Sequence, residues 1–286
     1  MNNILVTGGN GQLGSELKEI ASNYPDYNFL FTDVKDLDIT NHTAVAAFIK
    51  SNNINVIINC AAYTAVDKAE SEPEISDAIN HLAVANFAQI AKVKNIKLVH
   101  ISTDYVFDGT NHKPYVETDT PNPKSVYGKT KLDGELAMQQ INPANSIIIR
   151  TSWVYSKFGN NFVKTMLRLA ETRDEISVVA DQIGTPTNAA DLADAILNIL
   201  PQVSSETVEL FHYSNEGVCS WYDFAKTIFE IKEISIKVNP IETSQYLTPA
   251  VRPFYSVINK NKINIEYKLV KKYWIDSLKF NLVNFE

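Results

Sequence analysis

An α/β fold is predicted, built on a doubly wound parallel sheet with a smaller C-terminal lobe, and three features of the 286 residues predict it. Short apolar runs alternate with longer amphipathic stretches through the first half of the chain. A glycine-rich turn lies between the first apolar run and the helix that follows it. Beyond Arg150 the alternation loses its regularity. Strand–helix alternation requires right-handed crossovers with helices on both faces of the sheet, and ligands then sit at the carboxyl ends of the strands.

The elements follow in order. Strand-like runs occur at 4–6, 29–31, 56–58, 98–101 and 147–149, separated by segments long enough for helices. Between Asn111 and Ser125 the prolines Pro114, Pro121 and Pro123 stand among polar residues, which marks a surface loop. Ser125 is then a suitable N-cap for a helix over 126–138. Further on, the pattern predicts a helix at 162–171, a strand at 176–180, a helix at 191–200 and a capped helix at 220–231. No repeat, low-complexity tract or flexible linker interrupts the chain. The expected organisation is a nucleotide-binding domain over 1–152, with 188–215 returning to it, and a substrate lobe formed mainly by 153–286.

Composition narrows the function. With 45% hydrophobic residues the chain can bury a full core without disulfides or structural metal. A net charge of -7 disfavours a general nucleic-acid or membrane-surface binder, since either partner carries a negative field. Cys60 and Cys219 are far apart and in no ligand spacing, and His42, His81, His100, His112 and His212 show no paired spacing, so no catalytic metal is expected. Neither a cationic leader with an apolar core nor a membrane-length apolar run is found, which makes cytoplasm the expected location.

The turn Thr7-Gly8-Gly9-Asn10-Gly11-Gln12-Leu13-Gly14 has the spacing G-x-x-G-x-x-G between a strand and a helix. Gly8 allows the tight turn, Gly11 the approach of a pyrophosphate, and Gly14 close packing of helix on strand. Free N–H groups at the helix start then face the phosphates. The sheet is therefore expected to be Rossmann-type. Asp33 lies nineteen positions beyond Gly14, where its carboxylate can accept from the adenosine ribose hydroxyls. It would repel a 2′-phosphate, while Lys35 would offset that repulsion, so NADH or NADPH is expected. Asp38 is a candidate for the adenine amino group, against the plainer role of a turn residue.

Tyr127 and Lys131 stand at i and i+4, on one helix face. Alone, Y-x-x-x-K is a weak signal, but here it follows a strand ending in Ser102-Thr103-Asp104. A phenol ionises near ~10 unperturbed, so an acid–base tyrosine needs a positive neighbour, which Lys131 would supply. Tyr127 would protonate a carbonyl oxygen as the carbon receives hydride, and Thr103 would hydrogen-bond that oxygen.

Together, Gly8, Gly11, Gly14, Asp33, Thr103, Tyr127 and Lys131 resemble the extended short-chain dehydrogenase/reductases along essentially the whole chain. The longer strings 61–70 (AAYTAVDKAE), 102–107 (STDYVF), 150–155 (RTSWVY), Asp181-Gln182-x-Gly184-x-Pro186-Thr187 and Pro249-Ala250-x-Arg252-Pro253 are similar to the dTDP-4-dehydrorhamnose reductases within them. This resemblance implies reduction of the C4 ketone of dTDP-4-dehydro-L-rhamnose to dTDP-L-rhamnose, a donor for surface polysaccharide. It implies cofactor contacts at Gly11, Gln12, Leu13, Asp33, Asp38, Ile39, Ala62, Tyr63, Thr64, Ile101, Tyr127 and Lys131. Substrate contacts are implied at Thr103, Asp104, Tyr127 and Trp153, and Arg252 is a further candidate because its fork suits a pyrophosphate. Cys60, Tyr63 and Ile39 depart from common alanine, histidine and phenylalanine. By resemblance alone, Mg2+ and a homodimer are possible, with Glu16 the single carboxylate to suggest the metal. Two other readings stand beside this one: a nucleotide-sugar 4-epimerase or dehydratase, and a non-catalytic partner resembling the regulatory subunit of methionine adenosyltransferase.

Overall fold

A computed structural model describes residues 2–283. In chain order the longer strands are β1 (Asn2–Thr7), β2 (Tyr27–Thr32), β3 (Ile54–Asn59), β4 (Lys97–Thr103), β5 (Ser146–Thr151), β6 (Glu175–Val179), β7 (Glu209–His212) and β8 (Lys237–Ile241). The longer helices are α1 (Gln12–Ile20), α2 (His42–Ser51), α3 (Ala83–Lys94), α4 (Val126–Ile141), α5 (Phe162–Ala170), α6 (Ala189–Ile199), α7 (Trp221–Ile231) and α8 (Trp274–Val283).

The central sheet runs β7-β5-β4-β3-β1-β2, every pair parallel. After β2 the chain crosses back to place β3 on the other side of β1, so strand order reverses at β1. In a doubly wound sheet that switch point opens the ligand crevice, and it is where the glycine turn emerges.

The strands are apolar on both faces because helices cover both. Ile4 and Val6 pack with Leu13 and Leu17 of α1 and Leu192 and Ile196 of α6. Leu5 and Ile57 point the other way, onto Val45 and Ile49 of α2, Phe87 of α3 and Met138 of α4. Each such side chain is fully or almost fully buried, a gain of roughly 1.5–3 kcal/mol apiece. A separate core holds the lobe together: Val163 and Met166, Ile176 and Val178, Phe224 and Ile228, and Trp274 and Leu278.

The expected helix at 126–138 continues one turn to Ile141 and stops where Asn142 turns left-handed, φ 54°. α6 begins two residues before its expected start, with the Asn188 side chain capping Ala190 N–H. The strand expected at 176–180 lies at 175–179 and pairs with β8, whose Pro240 gave it no strand signature. Proline is tolerated there because a two-stranded ribbon is all edge. β7 continues the central sheet by pairing with β5, Glu209 against Ile147 through His212 against Arg150.

Candidate active site

A cleft of about 800 Å³ opens at the carboxyl ends of β1, β3, β4 and β5. Its floor begins at the glycine turn. Gly8 adopts φ 65° with its Cα against the backbone of residue 61, where a Cβ would stand 2.8 Å from Ala61 N. Gly14 lies against Gly8, and a Cβ there would come within 2.2 Å of the Gly8 carbonyl oxygen. Gly11 is the N-cap of α1 and offers no side-chain cap, which leaves first-turn N–H groups for an anion. Asp33, at the end of β2, receives Asn10 N–H on Oδ2 at 3.1 Å and Val34 N–H on Oδ1 at 2.7 Å. The carboxylate therefore shapes the turn as well as lining the cleft.

The opposite wall is set by β4 and α4. Ser125 accepts from Gly128 N–H at 3.1 Å, and Glu70 accepts from Val126 N–H at 2.8 Å, so both side chains cap α4. A side chain at Gly128 would collide with the Tyr105 carbonyl oxygen at 2.3 Å; its absence lets α4 rest on the turn after β4. Tyr127 is thereby set beside Thr103 and Asp104, its ring edge-on to Tyr105.

Charge in this corner is governed by burial. The Tyr127 phenol is pushed up to about 12, first by desolvation and then by Asp104, with the Thr103 hydroxyl working the other way. Lys131 is held down at about 8 by desolvation, against the pull of Glu135 and Cys60. The expected lowering of the phenol by Lys131 is not among these effects. The ammonium is drawn to the Ile101 carbonyl at 2.6 Å instead. A raised phenol keeps its proton at neutral pH, the form a proton donor requires. Asp104 is pushed up to about 6 by burial, against the Ser256 and Thr103 hydroxyls that favour its anion; Oδ1 accepts from Thr103 at 3.0 Å, and Oδ2 has no partner at hydrogen-bonding geometry among the described residues.

The C-terminal lobe closes the cleft with two tryptophans. Trp153 takes a left-handed φ of 48°, rare for a bulky residue. Its ring stacks on Trp221 with centroids 3.6 Å apart and planes within 10°. A Cβ at Gly184 would lie 2.5 Å from the Trp153 ring, so glycine makes the space for it.

Of the residues expected from sequence, Gly8, Gly11, Gln12, Leu13, Asp33, Asp38, Ile39, Ala62, Thr64, Ile101, Thr103, Asp104, Tyr127, Lys131 and Trp153 line this one cleft. Three do not. Gly14 acts by packing α1 onto Gly8. Tyr63 turns its hydroxyl to Glu72 while Asn80 holds its backbone at 2.9 Å. Arg252 spends its fork on Asp67, at 3.0 and 2.7 Å, because the carboxylate offers two oxygens in the plane a guanidinium prefers. Sequence reasoning missed Trp221, Thr151, Gly159 and Asn160, which also line the cleft. An aromatic directly after the capping Ser220 was the available signal for Trp221.

Glu16 does not stand in a ligand cluster among the described residues. It is buried, accepts from Ser156 at 2.5 Å, and its carboxyl is pushed up by burial. Among those residues, three ligand-type groups come within 4.8 Å of one another at Asp77, His81 and Asp133, away from the cleft lining.

A family model described as the RmlD substrate binding domain matches residues 1–286. The dTDP-4-dehydrorhamnose reductase of Sinorhizobium fredii is 43% identical over 282 residues, covering 96% of this chain and 94% of the relative. A solved dTDP-4-dehydrorhamnose reductase of Clostridium acetobutylicum superposes with a TM-score of 0.92 at 44% identity, covering 98% of each chain. The corresponding Bacillus anthracis enzyme, solved in complex with NADP, gives 0.93 at 40% identity over 99% of each chain.

Proposed function

This chain belongs to the RmlD family of dTDP-4-dehydrorhamnose reductases, and from that premise we propose how its residues carry the reaction. The protein reduces the C4 ketone of dTDP-4-dehydro-L-rhamnose to dTDP-L-rhamnose with NADH or NADPH, in the biosynthesis of dTDP-rhamnose for surface polysaccharide. The observation that carries the site assignment is the convergence of Thr103, Asp104, Tyr127 and Lys131 on the cleft that the glycine turn also lines.

Bound nicotinamide supplies the hydride. The chain's own work is binding, orientation and proton delivery. Free N–H groups after Gly11 receive the pyrophosphate, Asp33 the adenosine ribose, and Lys131 the nicotinamide ribose. Tyr127 donates its phenolic proton to the C4 oxygen, and the Thr103 hydroxyl turns from Asp104 to that oxygen as charge grows on it. Asp104 Oδ2, buried and without a partner at hydrogen-bonding geometry among the described residues, is available to a sugar hydroxyl. Trp153, backed by Trp221, covers the sugar ring. The 1–152 segment with 188–215 forms the cofactor half of this arrangement, and the rest of 153–286 mainly the substrate half.

No described helix is long and apolar enough to cross a membrane. Two free cysteines support a cytoplasmic location, where thiols stay reduced. A homodimer is the assembly to examine by light scattering. The reaction itself is tested by following the reduced-nicotinamide absorbance with dTDP-4-dehydro-L-rhamnose generated in place. Substrate-dependent oxidation is expected with at least one of the two cofactors. None with either, when the enzyme that generates the substrate is shown to be active, would return the assignment to a binding subunit or to a 4-epimerase.

A further inference from the structure

Beneath the cleft floor a line of buried polar groups runs from β1 to α4. Ala61 N–H donates to Thr7 Oγ1 at 3.4 Å, and Thr7 Oγ1–H donates to Asn59 Oδ1 at 2.7 Å. Asn59 Nδ2 lies 3.1 Å from His100 Nδ1, and His100 Nε2 lies 3.5 Å from Lys131 Nζ. Thr7, Asn59, His100 and Lys131 are each buried to 1% exposure or less, so proton positions along the line are dictated by one another.

Those positions can be worked out. The Thr7 hydroxyl donates to Asn59 Oδ1 at 2.7 Å while its oxygen accepts from Ala61 N–H. That orients the Asn59 amide with its N–H toward His100, and Nδ1 must accept. A neutral imidazole with Nδ1 accepting carries its proton on Nε2, the atom that faces Lys131. Full burial and the nearby ammonium both hold His100 far below its ordinary value, so it stays neutral.

Resting on the reductase reading above, we propose that His100 is a positioning residue for Lys131: its Nε2–H denies the ammonium an acceptor beneath the floor and directs the remaining N–H groups into the cleft. One lysine N–H is taken by the Ile101 carbonyl, and the others are left for the ribose and Tyr127. The same N–H opposes the charged lysine and can donate to the neutral amine. It therefore favours loss of the lysine proton. The other charged or ionisable groups acting on the amine are Cys60, just past β3, and Glu135 on α4, which is itself bound to Arg150 at 2.6 Å; Tyr127 stands one turn earlier on α4. The carboxylate and thiol favour the ammonium, and the His100 N–H opposes it.

The direct test is imidazole 15N NMR of histidine-labelled wild-type enzyme, with surface-histidine variants used for assignment. A neutral Nε2–H tautomer at His100 is expected between pH 6 and pH 9 as an approximate window. An Nδ1–H tautomer or an imidazolium would overturn the proposal. The functional test is His100→Gln, whose amide can present its oxygen to the lysine. The alkaline limb of kcat/KM, set by Lys131, should move up by about one pH unit. A folded, active variant with an unmoved limb would also overturn it, since a purely structural role lowers stability without shifting the limb. The NMR outcome does not depend on substrate identity, so failure of the reductase reading and failure of this proposal remain distinguishable.

Discussion

Asp104→Asn should stabilise the protein relative to the wild type as pH rises, because the native fold holds this carboxyl in an environment that opposes its charge. Its side chain is 2% exposed, and burial keeps it at about 6 against an ordinary 3.8. At ~1.36 kcal/mol per pH unit, the anion is about 3 kcal/mol less favourable in the folded protein than in the unfolded chain. Below pH 3.8 the carboxyl is protonated in both states and no penalty exists. The penalty grows as the unfolded chain ionises, and it is complete once the pH passes about 6. A 286-residue chain unfolds with an entropy of ~2.1 cal/mol/K per residue, so 3 kcal/mol corresponds to about 5 °C in Tm. The amide brings its own cost, since its N–H₂ would occupy the place of the unpaired Oδ2. That cost does not vary with pH. The quantity to measure is therefore the change with pH in the Tm difference between variant and wild type, by circular-dichroism melts from pH 4 to pH 7.5. A rise of about 4 °C across that range is expected, since the unfolded carboxyl is already partly ionised at pH 4, and a difference that stays flat with pH would refute the reasoning.

Three further perturbations have clear expectations. Tyr127→Phe keeps the ring and removes the transferable proton, so turnover should fall by roughly 10²–10⁴-fold while NADPH titration by fluorescence shows cofactor binding preserved; near-wild-type turnover would remove Tyr127 as the acid. Asp33→Ala should weaken NADH more than NADPH, read as the ratio of their KM values, and an unchanged ratio would take Asp33 out of the ribose site. Gly14→Ala forces a Cβ to within 2.2 Å of the Gly8 oxygen, so cofactor binding should be lost with a fall in Tm; a variant with unchanged binding would show that the turn can relax.

Much of the site was legible because its groups are local in sequence. The glycine turn, Asp33, Ser102-Thr103-Asp104 and the Tyr127–Lys131 pair each lie at the end of a strand or on one helix face, where spacing alone determines which side chains share an edge. What the spacing could not show was how groups from different elements compete. Lys131 was expected to act on the phenol, yet its amine donates to the Ile101 carbonyl at 2.6 Å and faces His100 at 3.5 Å. Arg252 was assigned to a pyrophosphate by its chemistry, and Asp67, 185 residues away in sequence, takes its fork. Several strings that carry the family resemblance turn out to hold architecture. Arg150 pairs with Glu135, Ser152 bonds to the Thr185 carbonyl, Gly184 accommodates Trp153, and Glu70 caps α4. Trp221 escaped notice because only the tertiary fold brings α7 under Trp153.

The central claim is hydride transfer to C4 with proton delivery from this cleft, and isotopic labelling of the reduced cofactor tests it most directly. Enzyme, dTDP-4-dehydro-L-rhamnose and nicotinamide cofactor doubly deuterated at ring C4 should give dTDP-L-rhamnose carrying one deuterium, located at sugar C4, with one cofactor oxidised per product. Labelled cofactor left unoxidised with the ketone unreduced, or dTDP-L-rhamnose whose C4 carries no deuterium, would contradict the account.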